Sequence, residues 1–331
     1  MGHKIYLCAT EYPQKEETLK LVGIDVENSI DGFVKSLGRN EILPFLGIYQ
    51  RMVYSYFFFK KLTKLFNLDF VLVTGGSTII PGSMTKRTII YVHYPVDLKL
   101  LQKQYLASQK LKRLYIKPWR YVSGNLDYFK RATIITNSNY TKQEIKKAWD
   151  VDATVIYPPC QQYSFPLSEC KHENIVCSVG RFTPEKNYEM IIETARKMPQ
   201  VTFELIGGVT RDKLQYFLSL KNSAPDNVTF HANASIDQKK GVLSKSKVML
   251  HGFIGEHFGI GLIEAMSAGV IPITHNSGAA KEDNLVLKEF RYNNPDEATS
   301  LIEKALSTWN LREAKRLRVY ARKFSTVEFY K

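Results

Sequence analysis

Gly255-Glu256-His257-Phe258-Gly259-Ile260-Gly261-Leu262-Ile263-Glu264-Ala265-Met266-Ser267-Ala268-Gly269 is the stretch that decides the fold. It follows a short apolar run at 248–251 and opens a helical pattern over 260–268. Gly259 and Gly261 let backbone approach a ligand closely at the helix start. The unpaired N–H groups there, with the positive end of the helix dipole, make an anion site suited to a diphosphate. Glu264 lies about one turn further in, where a carboxylate accepts both hydroxyls of a ribose. Glu256 precedes the helix and is placed to receive hydroxyls of a sugar. A glycine-rich turn alone is weak evidence; two glutamates with seven residues between them around Phe-Gly are far more specific.

A second motif, Ser178-Val179-Gly180-Arg181-Phe182-Thr183-Pro184-Glu185-Lys186-Asn187, also follows a strand pattern and precedes a helix. Arg181 and Lys186 are candidates to neutralise a departing pyrophosphate. The bland alternative makes both surface cations. A cation at a helix N-terminus opposes the dipole, which favours function. A third motif, Tyr91-Val92-His93-Tyr94-Pro95, ends a strand of the first half. Ligands in open α/β sheets bind beyond the carboxyl ends of strands, so His93 is a site candidate.

Working outward, strand patterns fall at 4–9, 70–74, 88–93, 133–137 and 154–157, then at 175–179, 202–206, 228–231, 248–251 and 271–274. Most are continuously apolar, as parallel strands buried on both faces are. Helical patterns cover 187–197, 211–221, 236–244, 260–268, 295–307 and 312–323. The alternation predicts an α/β, doubly wound architecture. The expected organisation is a Rossmann-like domain at 1–160, a second at 161–310 and a C-terminal helix at 311–331.

Lys plus Arg number 46 and Asp plus Glu 32, a net charge of +14 that calls for an anionic partner. Residues 49–66 carry seven aromatics and four basic residues with no acid. Residues 99–131 carry nine basic residues against one acid, with Tyr105, Tyr115, Trp119, Tyr121, Tyr128 and Phe129 interleaved. Interfacial segments combine these residue types, so Lys110, Lys112, Arg113 and Lys117 are candidates for an anionic membrane surface. Nucleic acid is the rival on the same chemistry, but no recognition motif supports it. No apolar run approaches the length of a spanning helix, and Met1–Ile5 does not read as a signal peptide. Four cysteines without a Cys-x-x-Cys pair argue against a disulfide framework or zinc cluster and point to a reducing cytosol. The Asn139, Asn227 and Asn233 glycosylation matches then read as chance.

Together the Glu256/Glu264 pair, Arg181 with Lys186, and His93 resemble the retaining GT-B glycosyltransferases of the GT4 type, the nucleotide-sugar family of glycosyl transferases group 1 that includes glycogen synthases and lipid-linked mannosyltransferases. A closer resemblance is to the branch that extends dolichol-diphosphate-linked oligosaccharide with α-1,2-mannose from GDP-mannose. It rests on His93-Tyr94-Pro95, Asn137-Ser138, Tyr157-Pro158-Pro159-Cys160, Pro184-Glu185-Lys186-Asn187, Glu256-His257-Phe258-Gly259-Ile260-Gly261 and His275-Asn276-Ser277-Gly278. At Arg181 and Thr183 the chain follows the broader family rather than the branch.

The resemblance implies two Rossmann-like domains facing across a cleft, with the C-terminal helix crossing back to the first. It places Glu264 on the ribose, Glu256 and His93 on the transferring sugar, and Arg181 and Lys186 on the diphosphate. Gly259, Ile260 and Gly261 complete the donor site, and backbone near Gly207 and Gly208 meets the nucleobase. It implies no cofactor and no catalytic metal, so Asp150-Val151-Asp152 reads as coincidence. The function implied is hexosyl transfer, most directly of mannose from GDP-mannose, to a lipid-diphosphate-linked glycan at the cytoplasmic face of a membrane, by a peripheral enzyme. A UDP-sugar transferase and a non-catalytic nucleotide-sugar-binding subunit are the alternatives. The family opens with a strand, a Gly-rich loop and a helix, whereas Lys4-Ile5-Tyr6-Leu7 resembles its second strand; an N-terminally shortened first domain is the expectation.

Overall fold

The computed structural model describes residues 4–9, 11–36, 61–62, 64–66, 68–74, 88–95, 127–161, 165, 167, 174–282 and 285–329. Lys110, Lys112, Arg113 and Lys117 lie outside the described residues, as does most of both basic-aromatic stretches. The chain divides into two compact units, Met1–Glu17 with Asp25–Ile156, and Thr18–Ile24 with Tyr157–Lys331.

In the first unit, strand β1 (Tyr6–Ala9) pairs in parallel with β2 (Gly32–Lys35), Tyr6 opposite Gly32. Helix α1 (Lys15–Val22) lies between them in sequence. A second parallel sheet runs β3 (Val71–Val73), β4 (Thr88–Val92), β5 (Thr133–Thr136), β6 (Thr154–Val155), in that spatial order. Helix α2 (Asp127–Arg131) precedes β5 and α3 (Asn139–Trp149) follows it. The Ser138 hydroxyl starts α3 by accepting from the Thr141 N–H at 3.0 Å, and Asp150 ends it in a left-handed conformation at φ 53°. Ile90, Val92, Ile134, Ile145 and Val151 form the core with Phe129, whose ring stacks on Trp149 at 4.0 Å. Phe129, grouped by sequence with interfacial aromatics, is therefore a core residue, its ring removed from water by Trp149 and the rest of this cluster.

The second unit holds β7 (Ile175–Val179), β8 (Thr202–Gly207), β9 (Val228–Ala232), β10 (Val248–His251), β11 (Ile271–His275) and β12 (Arg291–Tyr292) in one parallel sheet. Its spatial order is β12-β11-β10-β7-β8-β9. Counted from β7 that is 6-5-4-1-2-3, the doubly wound order of dinucleotide-binding folds. Helices α4 (Tyr188–Lys197), α5 (Leu214–Ser223), α6 (Ile236–Lys245), α7 (Ile260–Ser267) and α8 (Pro295–Thr308) alternate with these strands. Capping explains several starts: Ser235 and Gln238 form a reciprocal box on α6, and Asn294 with Pro295 opens α8. Fully buried Cys177, Leu243, Met249, Leu262 and Val270 sit in one cluster between sheet and helices. Helix α9 (Leu311–Ala321) buries Ala314, Leu317 and Ala321 and packs on α7 within this unit. The close approach is set at Gly269 (φ 71°), where a Cβ would lie 2.7 Å from that of Ala314. A short α10 (Thr326–Phe329) ends the described chain. Among the described residues no helix is long and apolar enough to cross a membrane.

Candidate functional site

The strand order of the second unit reverses between β7 and β10, which pair through Val248 and Val176. The crossover from β7 runs to β8 on one side, and the one from β10 runs to β11 on the other. The loops leaving the two strands diverge, and the crevice beyond their carboxyl ends is the ligand site of such sheets. Both strong sequence motifs leave from this point. Glycine is required where the loops touch. A Cβ on Gly207 would lie 1.8 Å from the Gly180 oxygen, and one on Gly252 would lie 2.7 Å from the Lys186 oxygen.

Glu256 is buried at 7% exposure, and among the described residues its carboxylate has three partners. Oε2 accepts from Lys186 Nζ at 2.9 Å and meets His251 Nε2 at 2.8 Å; Oε1 accepts from the His257 N–H at 2.9 Å. Burial works against the charged form, but the His251 and Lys186 contacts override it and hold the Glu256 carboxyl well below the usual carboxylate range. Lys186 arrives from a single 3-10 turn, Pro184–Lys186, and its ammonium lies 4.3 Å from the centre of the Phe253 ring. The Glu256 backbone is clasped from behind: its oxygen accepts from the Ala279 N–H at 2.7 Å, and the Gly255 N–H donates to Ser277 Oγ at 2.8 Å. Gly278 (φ 61°) allows this, since a Cβ there would fall 2.4 Å from the Glu256 oxygen.

Beyond Glu256, Gly259 adopts φ 86° and starts α7 with no side-chain cap. The first N–H groups of α7 lie at the positive end of its dipole, at the Gly259, Ile260 and Gly261 positions singled out in the sequence. Gly261 is less constrained, since a Cβ there would stand an ordinary 3.5 Å from Met249 Cε. Glu264 faces a different lysine. Its Oε1 accepts from Lys239 Nζ, on α6, at 2.7 Å, with both side chains largely buried at 13% and 19% exposure. Desolvation raises the Glu264 carboxyl above its ordinary value despite the opposing pull of Lys239. The thiol of Cys160 is pushed up to about 12, by burial first and then by the charge of Glu264.

Gly207 ends β8 and Gly208 follows it, where Asn233 (φ 54°) accepts from the Val209 N–H at 2.8 Å through Oδ1. His231 on β9 pairs with Glu204 on β8 nearby. Arg181 is 72% exposed at the side chain and reaches Glu185 at 3.8 Å, while Lys186 is drawn to Glu256. His93 belongs to the first unit and is exposed after β4; the Asn137 amide donates to its backbone oxygen at 3.0 Å. Asp150 and Asp152 both pair with Lys146, at 3.2 and 3.6 Å. Two residues of the site carry no motif in the sequence. His251 ends an apolar strand just as His93 does, and that position is the signal that could have found it. Lys239 sits in a helix with nothing around it to mark a site.

Residues 161–324 match the family described as glycosyl transferases group 1. The chain is 30% identical over 239 residues to the mouse protein named GDP-Man:Man(3)GlcNAc(2)-PP-Dol alpha-1,2-mannosyltransferase, covering 60% of this chain and 48% of that one. The human protein of the same name is 31% identical over 237 residues, with the same coverage. The chain thus spans about half the length of these relatives. Among solved structures, a glycosyltransferase from Rickettsia africae superposes with TM-score 0.69 at 15% identity, over 99% of this chain and 88% of that one. Sucrose-phosphate synthase from Thermosynechococcus elongatus gives TM-score 0.66 at 17% identity, over 89% and 78%. These likenesses show the fold, the α/β GT-B architecture with its parallel sheets. Residues 161–324, which carry both Glu256 and Glu264, are similar to the glycosyl transferases group 1 family.

Proposed function

We propose that this chain is a retaining hexosyltransferase that takes mannose from GDP-mannose and delivers it to a lipid-diphosphate-linked glycan. The observation that carries the reading is the Lys186–Glu256 pair, 2.9 Å apart beside the uncapped start of α7 at the switch point of the sheet. A diphosphate against the first N–H groups of α7 meets the helix dipole, and the Lys186 ammonium is within a side-chain rotation of it. As the bond from anomeric carbon to phosphate oxygen breaks, charge grows on the diphosphate, where such preorganised donors act most strongly. The acceptor hydroxyl forms the new bond on the same face, and its proton goes to the departing phosphate oxygen. Glu256 orients the sugar and Glu264 the ribose; His93 and Arg181 complete the set from the family resemblance. No step requires a metal.

The names of the mouse and human relatives favour GDP-mannose and a dolichol-linked acceptor over a UDP-sugar. A peripheral site of action on the cytoplasmic face, with Lys110, Lys112, Arg113 and Lys117 against anionic lipid, completes the proposal. The test is thermal shift with GDP, UDP and their sugars, followed by transfer to a lipid-linked acceptor with and without EDTA. A true donor at 100 times its Kd stabilises by about 2.7 kcal/mol. Binding of UDP-sugars alone overturns the donor assignment, binding without turnover favours the non-catalytic reading, and activity lost to EDTA and restored by Mn²⁺ overturns the metal-independent mechanism.

A further inference from the structure

We infer that His251 is a positioning residue that holds Glu256 for the donor sugar, an inference that rests on the donor-binding reading above. His251 is 5% exposed at the carboxyl end of β10, and its Nε2 lies 2.8 Å from Glu256 Oε2. A carboxylate only accepts, so the proton of this contact belongs to Nε2. The backbone that carries the imidazole is fixed. Its residue pairs with Thr274 in the sheet, and its backbone oxygen accepts from the buried Tyr292 hydroxyl at 3.0 Å.

The placement decides which oxygen faces the sugar. Among the described residues, Oε2 is taken by two donors, His251 and Lys186, whereas Oε1 holds only the His257 N–H. A carboxylate offers about four acceptor positions, so the remaining one is on Oε1. The two donors on Oε2 are not equivalent. Lys186 ends a flexible four-carbon stem, and the proposed chemistry draws its ammonium to the diphosphate. When it turns, His251 is the donor that stays and keeps the carboxylate from rotating. His251 acts through Glu256 and touches no reacting atom.

The test compares GDP with GDP-mannose binding by calorimetry on the 331-residue chain as wild type, His251→Ala, His251→Gln, Glu256→Gln and the double variant His251→Ala/Glu256→Gln. Glutamine places an amide donor near the Nε2 position. Expected is a roughly tenfold loss of GDP-mannose affinity in His251→Ala with GDP affinity within about twofold of wild type, partial rescue by His251→Gln, and no further loss when His251→Ala is added to Glu256→Gln. Equal losses for GDP and GDP-mannose, or additive losses in the double variant, overturn the inference while leaving the donor reading intact. Failure of the wild type to bind either ligand overturns both. If His251→Ala does not fold, His251→Gln carries the test, and a GDP-mannose affinity and GDP affinity reduced alike in it overturn the inference.

Discussion

Replacing Lys186 with Met removes the cation from a buried carboxylate and leaves the rest of the site in place. The two side chains are 18% and 10% exposed, so solvent screens the pair little. Removing one partner of a fully buried pair costs about 3–5 kcal/mol, because the other charge stays desolvated. Here His251 and the His257 N–H remain on Glu256, and one edge of the pair is wet. Those contacts reduce the loss to about 2–3 kcal/mol, still within the range of a broken charged hydrogen bond. For a unit of this size one kcal/mol moves Tm by about 2–4 °C, so Lys186→Met melts about 4–12 °C lower. Adding Glu256→Gln removes the stranded charge and restores part of the loss, since an amide is far cheaper to bury than an unpaired carboxylate. The assay is urea denaturation followed by circular dichroism on wild type, both single variants and the double. A Lys186→Met midpoint equivalent to less than about 0.5 kcal/mol of change, or a double variant as unstable as the sum of the singles, refutes the reasoning.

Gly207→Ala places a Cβ 1.8 Å from the Gly180 backbone oxygen, with the Phe182 ring at 3.1 Å; no soluble folded protein is expected, and a soluble variant with unchanged Tm contradicts this. Cys160 and Cys177 are buried while Cys8 is exposed, and the Cys160 thiol is pushed up to about 12. Partial burial also raises the Cys8 thiol, but its exposure leaves it reachable, so in a Cys170→Ser background iodoacetamide at about pH 8, near the ordinary thiol pKa, alkylates Cys8 faster than Cys160, read by peptide mass mapping; equal labelling contradicts the burial. The two glutamates act oppositely with pH. Glu256 is depressed on folding, so its stabilising contribution is complete above the ordinary carboxyl pKa and declines as pH falls below it. Glu264 is raised, so its contribution declines as pH rises from the ordinary value through the folded one. Urea midpoints against pH should lose their acid-side fall in Glu256→Gln and lose a decline just above the ordinary carboxyl range in Glu264→Gln; curves parallel to wild type contradict the assignments.

The sheet of the second unit is legible in the sequence because its strands are continuous apolar runs. Ile175-Val176-Cys177 and Val248-Met249-Leu250 are buried on both faces, and burial on both faces leaves no polar alternation to blur the pattern. Strands β2 and β12 are not legible, because the Asp31-Gly32 turn signal runs into the start of β2 and β12 is the single pair Arg291-Tyr292, led by a charge. The motif glutamates are legible by type and spacing, but their electrostatic partners are not. Sequence assigns Lys186 to a diphosphate, and in the fold it rests on Glu256; sequence assigns Glu264 to a ribose, and in the fold it rests on Lys239. Neither pairing follows from spacing, since Lys186 is 70 residues from Glu256 and Lys239 is 25 from Glu264. Both follow from the fold.

The turn after β7 delivers Lys186 to Glu256 before α7, and helix α6 delivers Lys239 to Glu264 within α7, where two buried carboxylates otherwise strand negative charge beside the proposed anion site. Two unpaired carboxylates there would repel a diphosphate, and a low-dielectric crevice magnifies that repulsion. With each neutralised, the helix N-terminus is left as the dominant local field, and it is positive. On the proposed function, the pairing that stabilises these two carboxylates is also what makes the α7 entrance receptive to an anionic donor. A donor that draws Lys186 away must return hydrogen bonds to Glu256, which its sugar hydroxyls are chemically equipped to do.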